Sequence, residues 1–248
     1  MLLQTPAQPT HQSGPPTLTQ RPLETPSAPS TEDLVVGASV YAPQGDSHML
    51  VEAMRAHAEH IRGGRVVDLC CGSGIAAVSA ARLGAAEVLA LDLNPAAVAS
   101  AAANALRHAP AMHARRGTLT DAVELGPFDV LLCNPPYVPA PDDAVDHASA
   151  ASAWDAGHDG RMVLDPLCRM LPDILGTGGM ALIVHSEVAD FAATVDQCRA
   201  AGLTADVIAR THVPLGPVMR ERADWLAQQG HLPAGAEAEE LAVVRVTR

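Results

Sequence analysis

The sequence contains no lysine, so all 16 of its basic side chains are arginines. They are outnumbered by 28 acidic side chains, and the formal net charge is -12 at pH 7. Proteins that bind duplex nucleic acid use clustered cations to displace the counterions of the phosphates, and the sequence shows no such cluster. We therefore do not expect nucleic acid to be the substrate.

Long apolar runs, a secretion signal and paired cysteine motifs are also missing. No apolar run reaches membrane-spanning length, and the amino terminus does not join a charged region to an apolar core. The five cysteines show no Cys-x-x-Cys spacing, and His57 and His60 have no third metal ligand nearby. We expect a cytoplasmic protein with reduced cysteines, without membrane contact and without a metal.

Aromatic residues make up only 2% of the chain, so its core must be aliphatic. With 248 residues, of which 48% are hydrophobic, the chain can bury one substantial core. Residues 1–32 are rich in Pro, Thr, Gln and Ser and show hardly any apolar periodicity. We predict a disordered tail over 1–32, with a proline-rich docking segment as the alternative, and one domain over 33–248.

From residue 65 onward, short apolar runs alternate with segments of helical periodicity. The predicted strands are 65–69, 87–91, 112–115, 128–133, 180–185, 203–209 and 240–246. The predicted helices are 48–61, 74–83, 95–108, 162–175, 188–200 and 217–229. This alternation favours an α/β fold: a doubly wound, mostly parallel, seven-stranded Rossmann-like sheet with helices on both faces.

The strand predicted over 128–133 is followed directly by Asn134, Pro135, Pro136 and Tyr137. Proline holds the residue before it in an extended conformation, so the Asn134 amide should project beyond the carboxyl end of the strand, where open parallel sheets bind ligands. The Asn134 oxygen and the Pro135 carbonyl can together accept both hydrogens of a planar –NH2 group, with Tyr137 as a flat wall. The alternative is a strand that ends in a proline turn without chemistry.

A glycine-containing loop, Cys70 to Gly74, follows the first predicted strand. Glycines there let the backbone approach a ligand, and Asp92, eighteen residues past Gly74, suits the two hydroxyls of a ribose. The loop lacks the third glycine of a dinucleotide fingerprint, and Asp68 at the strand end disfavours a pyrophosphate and favours a cation. The pattern therefore predicts a nucleoside cofactor.

Together these motifs resemble the class I S-adenosylmethionine-dependent methyltransferases, and more narrowly the HemK/PrmC-like family of glutamine amide methyltransferases. The resemblance extends from about residue 38 to the carboxyl terminus. The further motifs that carry it are Val40-Tyr41 with Pro43, Asp46-Ser47, Asn104-Ala105, Trp154 to Gly160, Gly178-Gly179 and Glu239 to Leu241.

The resemblance implies S-adenosylmethionine as the cofactor, with the loop on its methionine portion, Asp92 on its ribose, and Thr118 and Leu119 along its adenine. The expected cofactor-binding residues are Tyr41, Asp68, Cys70, Cys71, Gly72, Gly74, Asp92, Leu93, Thr118, Leu119 and Asn134. Asn134 and the Pro135 carbonyl would hold the acceptor nitrogen while Tyr137 packs on it, which makes these three the expected catalytic residues. Pro136 and Trp154 would complete the substrate pocket.

Three features depart from the family pattern. Cys70 replaces the usual first glycine of the loop, so we expect Cys70 to keep a negative φ. Gly117 and Thr118 stand where the family has Gly-Asp, which removes a carboxylate contact to adenine. The helical amino-terminal domain of bacterial members is missing. In its length and in its Val40-Tyr41 segment, the chain looks closer to a shorter eukaryotic and archaeal branch that works with a zinc-binding activator subunit.

The resemblance implies an enzyme that methylates the side-chain amide of a protein glutamine, of the release-factor type. The acidic charge and the missing docking domain leave a second acceptor open: a free small molecule with a planar nitrogen, such as an amide or guanidinium of an amino acid or natural product. A nucleic-acid base is less favoured because lysine is absent. A non-catalytic assembly partner is disfavoured by the intact Asp68, Asp92 and Asn134.

Overall fold

The computed structural model describes residues 33–109, 111–141 and 150–248. The tail predicted over 1–32 lies outside the described residues. The strands are β1 (Arg65–Leu69), β2 (Glu87–Asp92), β3 (Met112–Arg116), β4 (Phe128–Cys133), β5 (Leu175–Ser186), β6 (Thr204–Pro214) and β7 (Ala238–Thr247). The α-helices are α1 (Gly45–Ala56), α2 (Ala58–Ile61), α3 (Ile75–Arg82), α4 (Pro95–His108), α5 (Leu119–Leu125), α6 (Leu164–Ile174), α7 (Phe191–Ala200) and α8 (Pro217–Gln229).

The seven strands form one sheet in the order β3-β2-β1-β4-β5-β7-β6. Strand β7 runs antiparallel to β5 and β6, and the other neighbours are parallel. This arrangement confirms the predicted doubly wound, mostly parallel sheet. From β1 the chain builds outward to β2 and β3, and then returns to place β4 on the other side of β1. The reversal opens a crevice at the carboxyl ends of β1 and β4, where folds of this kind bind ligands.

Strand β4 shows how the sheet is buried on both faces. Val130 and Leu132 belong to the apolar cluster that includes α1, α3 and α4, whereas Leu131 and Cys133 belong to the cluster that includes α6 and α7. Alternate side chains of a strand point to opposite faces, so an unbroken apolar run is what a strand covered by helices on both sides requires. The core is aliphatic, as predicted, and Phe128 is the one aromatic among its largest fully buried side chains in the described residues.

The helix predicted over 48–61 is wrong in one respect, because the structure divides it into α1 and α2 at His57. A ring nitrogen of His57 lies 2.9 Å from the Ala53 carbonyl oxygen, which is the acceptor that a continuing helix would offer to the His57 N–H. The His57 N–H bonds instead to the carbonyl of Met54. The side chain thus competes with the backbone and ends the helix.

Strands β5 and β6 extend well beyond their predicted bounds, and β2, β3 and β7 are longer by one to three residues. Strand β5 begins at Leu175 rather than at residue 180. Gly178 takes a φ of 74°, and the pairing with β4 shifts register between Phe128 and Val130 but continues to Leu175. Strand β6 continues to Pro214 along the edge of the sheet, where its exposed polar side chains give no apolar signal. None of the helices in the described part of the chain combines the length and the apolarity that a membrane crossing requires.

Helix α5 was not predicted at all. Thr118 caps it: the Thr118 hydroxyl accepts a hydrogen bond from the Asp121 N–H, and the Asp121 carboxylate accepts one from the Thr118 N–H. A threonine followed three residues later by an acid is a variant of the capping box, so the signal was present in the sequence. The helix matters for the site because it places Thr118 and Leu119 directly after β3.

Candidate active site

A cavity of about 1010 Å³ lies at the carboxyl ends of β1, β2 and β4 and extends towards the start of β7. This volume lies at the upper end of the range for small-molecule sites. All the predicted site residues except Gly74 line it: Tyr41, Asp68, Cys70, Cys71, Gly72, Asp92, Leu93, Thr118, Leu119, Asn134, Pro135, Pro136, Tyr137 and Trp154. The loop after β1 and the Asn-Pro-Pro-Tyr segment after β4 therefore open into one space.

Gly74 lies behind the cavity wall. It takes a φ of 83° as the residue before α3, and a Cβ built on it would lie 2.9 Å from the Met112 side chain and 3.2 Å from that of Ala101. Only glycine fits this contact between α3, α4 and β3. The structure therefore gives Gly74 a packing role.

The expectation of a negative φ at Cys70 is wrong, because Cys70 has a φ of 57°. Two hydrogen bonds hold the loop in this shape: the Cys71 N–H bonds to the Leu91 carbonyl, and the Gly72 N–H bonds to the Asp92 carboxylate. To make these two bonds with the end of β2, the loop needs a left-handed conformation at position 70, whatever the side chain. Cys70 bears a conformational strain of roughly 1–2 kcal/mol that a glycine would not.

Asp68 lies at the floor of the cavity and is 2% exposed. Its carboxylate accepts a hydrogen bond of 2.9 Å from the Ala77 N–H, one of the unpaired donors in the first turn of α3. Burial raises the pKa of Asp68 to about 8, and the charge of Asp92 adds to this rise, while the Ala77 bond opposes it. A cation that enters the cavity would stabilise the ionised form of Asp68.

Asp92 joins the end of β2 to the loop after β1. One carboxylate oxygen accepts the Gly72 N–H at 2.9 Å, and the other accepts the Asn94 N–H at 2.8 Å. Burial raises the pKa of Asp92, and the backbone hydrogen bonds oppose the rise. A third backbone hydrogen bond comes from Leu93. A carboxylate offers about four acceptor sites, so one remains for a ligand hydroxyl.

Asn134 is oriented by a serine from a distant part of the chain. Its Nδ2 donates to Oγ of Ser47 at 3.3 Å, and Oγ of Ser47 donates to Oδ1 of Asp46 at 3.2 Å. Ser47 has one hydroxyl hydrogen, and a carboxylate can only accept it, so Ser47 is left as an acceptor for Asn134. This polarity holds the amide with Nδ2 on Ser47 and leaves Oδ1 as the acceptor available to a ligand; Asn134 and Pro135 both line the cavity.

Asp46 is the central acceptor of this group and is 3% exposed. One of its oxygens accepts the hydroxyls of Tyr41 and Tyr137 at 3.0 and 3.1 Å, and the other accepts the N–H and hydroxyl of Ser47. Burial and the nearby Asp46 charge raise the pKa of both tyrosines, so both stay protonated donors. The resemblance implies a cofactor role for Tyr41 and none for Asp46, although the motif from Tyr41 to Ser47 contains both residues.

The segment that follows Tyr137 is held against the cavity by backbone bonds. The Val138 N–H donates to the Trp154 carbonyl, and the Ala156 N–H donates to the Val138 carbonyl. Asp155 forms a 2.6 Å ion pair with Arg222 of α8. Gly160 packs on the Tyr137 carbonyl at a distance that leaves no room for a Cβ. The motif from Trp154 to Gly160 thus supports the part of the cavity wall formed by Tyr137 and Val138.

Comparison with protein families gives a match to the Methyltransferase small domain over residues 42–164. The "Putative protein N5-glutamine methyltransferase" of Methanocaldococcus jannaschii is 31% identical over 180 residues, which is 73% of this chain and 89% of the relative. Human "Methyltransferase HEMK2" is 30% identical over 158 residues, which is 59% of this chain and 72% of the relative. The release factor glutamine methyltransferase of Corynebacterium glutamicum is 32% identical over 163 residues, and the chain spans 58% of its length.

Solved structures agree with the fold. The Mtq2 and Trm112 complex of E. cuniculi, described as responsible for the methylation of the eRF1 translation termination factor, matches with a TM-score of 0.53 and 18% identity over 85% of this chain and 99% of that one. The 16S rRNA methyltransferase RsmC of T. thermophilus, in complex with AdoMet and guanosine, matches with a TM-score of 0.55 and 18% identity over 83% of this chain and 43% of that one. At this identity the two structures support the architecture alone.

Proposed function

Since the chain belongs to the HemK/PrmC-like family of S-adenosylmethionine-dependent glutamine methyltransferases, we propose that it methylates the side-chain amide of a glutamine in a protein. One observation supports this most strongly. Asn134 and Pro135 line the same cavity as Asp68, Gly72 and Asp92, so a nitrogen held by the first two residues would share a space with a cofactor held by the other three.

The residues of the cavity fit S-adenosylmethionine, whose sulfonium and ammonium groups are cations. The acidic residues that line it are Asp46, Asp68, Asp92, Asp155 and Glu239. Among the described lining residues there is no arginine or histidine. A Cβ built on Gly72 would meet no atom within 4 Å, so the loop backbone faces open space where a ligand can approach. When bound, the cofactor supplies a methyl group on a sulfonium, which is a strong electrophile.

We assign the binding roles by part of the cofactor. The loop from Cys70 to Gly72 would hold the methionine portion, with Asp68 beneath it, and the remaining acceptor site of Asp92 would hold a ribose hydroxyl. Thr118 gives both its N–H and its hydroxyl hydrogen to Asp121, so it has no donor left for adenine and would contact it through its methyl group, next to Leu93 and Leu119.

On the acceptor side, the Asn134 oxygen and the Pro135 carbonyl would accept the two hydrogens of the –NH2 group, and the ring of Tyr137 would pack on the amide. An amide nitrogen is a poor nucleophile because its lone pair is delocalised. As the N–C bond forms and the S–C bond breaks, the nitrogen gains positive charge and both hydrogen bonds strengthen, which stabilises the transition state more than the ground state. One N–H proton is then released to water.

Alignment supplies the rest of the rate enhancement. Holding nitrogen and methyl group in line can lower the barrier by roughly 7–11 kcal/mol, so no general base is required.

We further propose that the protein acts in the cytoplasm. The E. cuniculi match is a two-protein complex, so an activator subunit is included in the proposal, and the assay should be run with and without a co-expressed partner.

The test is methyl transfer from a labelled donor. The purified protein is incubated with radiolabelled S-adenosylmethionine and either a dialysed cell lysate or the small-molecule fraction of that lysate. Label in a protein band, traced by mass spectrometry to a glutamine side chain, supports the proposal. Label that appears only in the small-molecule fraction would replace the protein acceptor by a free amide or guanidinium.

A further inference from the structure

Glu239 is a buried acid in the cavity that the steps above do not use. It lies near the start of β7, two residues before Leu241, which pairs with Ser186 at the end of β5. It is 5% exposed and lines the cavity. In the sheet, β5 and β7 lie on one side of β4, whereas β1, β2 and β3 lie on the other. The position of Glu239 is therefore on the acceptor side of Asn134, away from the residues assigned to the cofactor.

The hydrogen bonding of Glu239 is incomplete. The Ser186 hydroxyl bonds to its carboxyl group, but Oε2 has no hydrogen-bond partner within the described residues. Two other acids on this side are already engaged: Asp46 accepts four hydrogen bonds and has no site left, and Asp155 pairs with Arg222. A buried acceptor without a partner is destabilising, and natural structures contain few of them. A ligand that brings an N–H to Oε2 would satisfy it.

The surroundings of Glu239 set the charge of that ligand. The groups that interact with it electrostatically are Asp46, Glu187, Tyr41 and Tyr137, none of which is a cation. Of the acids that line the cavity, only Asp155 forms an ion pair within the described residues, with Arg222. The acceptor side therefore has a negative potential, which attracts cations and N–H donors and repels carboxylates and phosphates.

We propose that Glu239 is a specificity-determining residue of the acceptor site: its free oxygen accepts a hydrogen bond from an N–H donor that flanks the methylated nitrogen. The inference rests on the proposed function, because it takes the acceptor to be a peptide. A peptide whose glutamine is flanked by a main-chain N–H or a cationic side chain is preferred, and one with an acidic neighbour is rejected. A hydrogen bond to a charged group changes affinity by roughly tenfold or more.

The test uses three synthetic peptides that are identical except for one residue beside a central glutamine, which is glycine, arginine or aspartate. The kcat/KM of each peptide is measured at about pH 8, above the pKa of about 7 to which burial raises Glu239, with the wild-type protein, with Glu239→Gln and with Glu240→Gln. The last variant is the matched control, since it removes the same charge one residue away, where Glu240 pairs with Arg210 outside the cavity. Comparing peptides on one enzyme cancels any loss of folded protein.

The wild-type protein and Glu240→Gln are expected to prefer the arginine peptide over the aspartate peptide by tenfold or more, mainly through KM. In Glu239→Gln this ratio should fall about tenfold, and Glu239→Asp, which keeps the charge, should retain the preference. A ratio that is the same in the wild type and Glu239→Gln overturns the role of Glu239 but leaves the proposed function intact. If the wild-type protein binds cofactor but methylates none of the peptides, the peptide acceptor itself is wrong, and this inference fails with it.

Discussion

Nδ2 of Asn134 donates a hydrogen bond of 3.3 Å to Oγ of Ser47, although the two residues are 87 positions apart in the chain. The contact joins the end of β4 to the first turn of α1. It decides which end of the Asn134 amide is offered to a ligand, because the hydroxyl hydrogen of Ser47 is already given to Asp46. The acceptor chemistry proposed for Asn134 thus depends on a residue outside its own motif.

Ser47→Ala should lower kcat by roughly tenfold, since the Asn134 amide could then rotate and present its –NH2 group to the acceptor. The affinity for S-adenosylmethionine, measured by calorimetry, should stay within about twofold. Ser79→Ala is the matched control: Ser79 is also buried and bonds to the Ile75 carbonyl, but it lies outside the cavity. Equal activity of the two variants would remove the orienting role from Ser47.

Asp92→Ala should weaken cofactor binding by tenfold or more, because one charged hydrogen-bond acceptor to the ribose is lost. Titration calorimetry measures the effect. The control is Asp206→Ala, which removes a carboxylate that pairs with Arg245 on the edge of the sheet. An unchanged dissociation constant in Asp92→Ala would contradict the ribose assignment.

Cofactor binding should release protons near neutral pH. Burial raises the pKa of Asp68 to about 8, so at pH 7.5 this acid is mostly protonated, and an incoming cation lowers its pKa and expels up to about one proton. Calorimetry at pH 7.5 in two buffers of different ionisation enthalpy gives the number of protons released. Asp68→Asn should abolish most of the release, and an equal release in both proteins would exclude Asp68 as the source.

Stability should fall as the pH rises from about 4.5 to 8. Burial raises the pKa of Glu239 from 4.5 to about 7, and that of Asp68 from 3.8 to about 8, so in this range the folded protein binds more protons than the unfolded chain. The free energy of unfolding then decreases with pH, on the order of 3 kcal/mol in total for Glu239. Urea unfolding across this pH range should show the decrease. Glu239→Gln should flatten it below pH 7, and an unchanged slope would contradict the buried state of Glu239.

The parts of the fold that the sequence predicts well are those with a strong local signal. The run from Phe128 to Cys133 is apolar at nearly every position and is stopped by two prolines, so both the strand and its end are where they were expected. A backbone conformation that depends on contacts with a distant part of the chain cannot be predicted in the same way. The left-handed conformation of Cys70 comes from hydrogen bonds to Leu91 and Asp92, which belong to the neighbouring strand.

The same limit applies to the site. The loop after β1, Asp92 and the Asn-Pro-Pro-Tyr segment each have their own motif, and parallel strands bring their carboxyl ends to one edge. The roles proposed for Ser47, Asp46 and Glu239 depend on side chains that meet only after α1 has packed on the sheet and β7 has paired with β5. Helix α5 is different, because the Thr118 and Asp121 capping pair is a local signal that can be read from the sequence.

The most direct test of the account is methyl transfer by Asn134→Ala, measured with labelled S-adenosylmethionine on an acceptor that the wild-type protein methylates. We predict that transfer is abolished while calorimetry still shows cofactor binding, because the substitution removes the hold on the acceptor nitrogen and leaves Asp68, Gly72 and Asp92 in place. Substantial turnover by the purified variant would contradict the central claim that Asn134 presents the nitrogen to the methyl group.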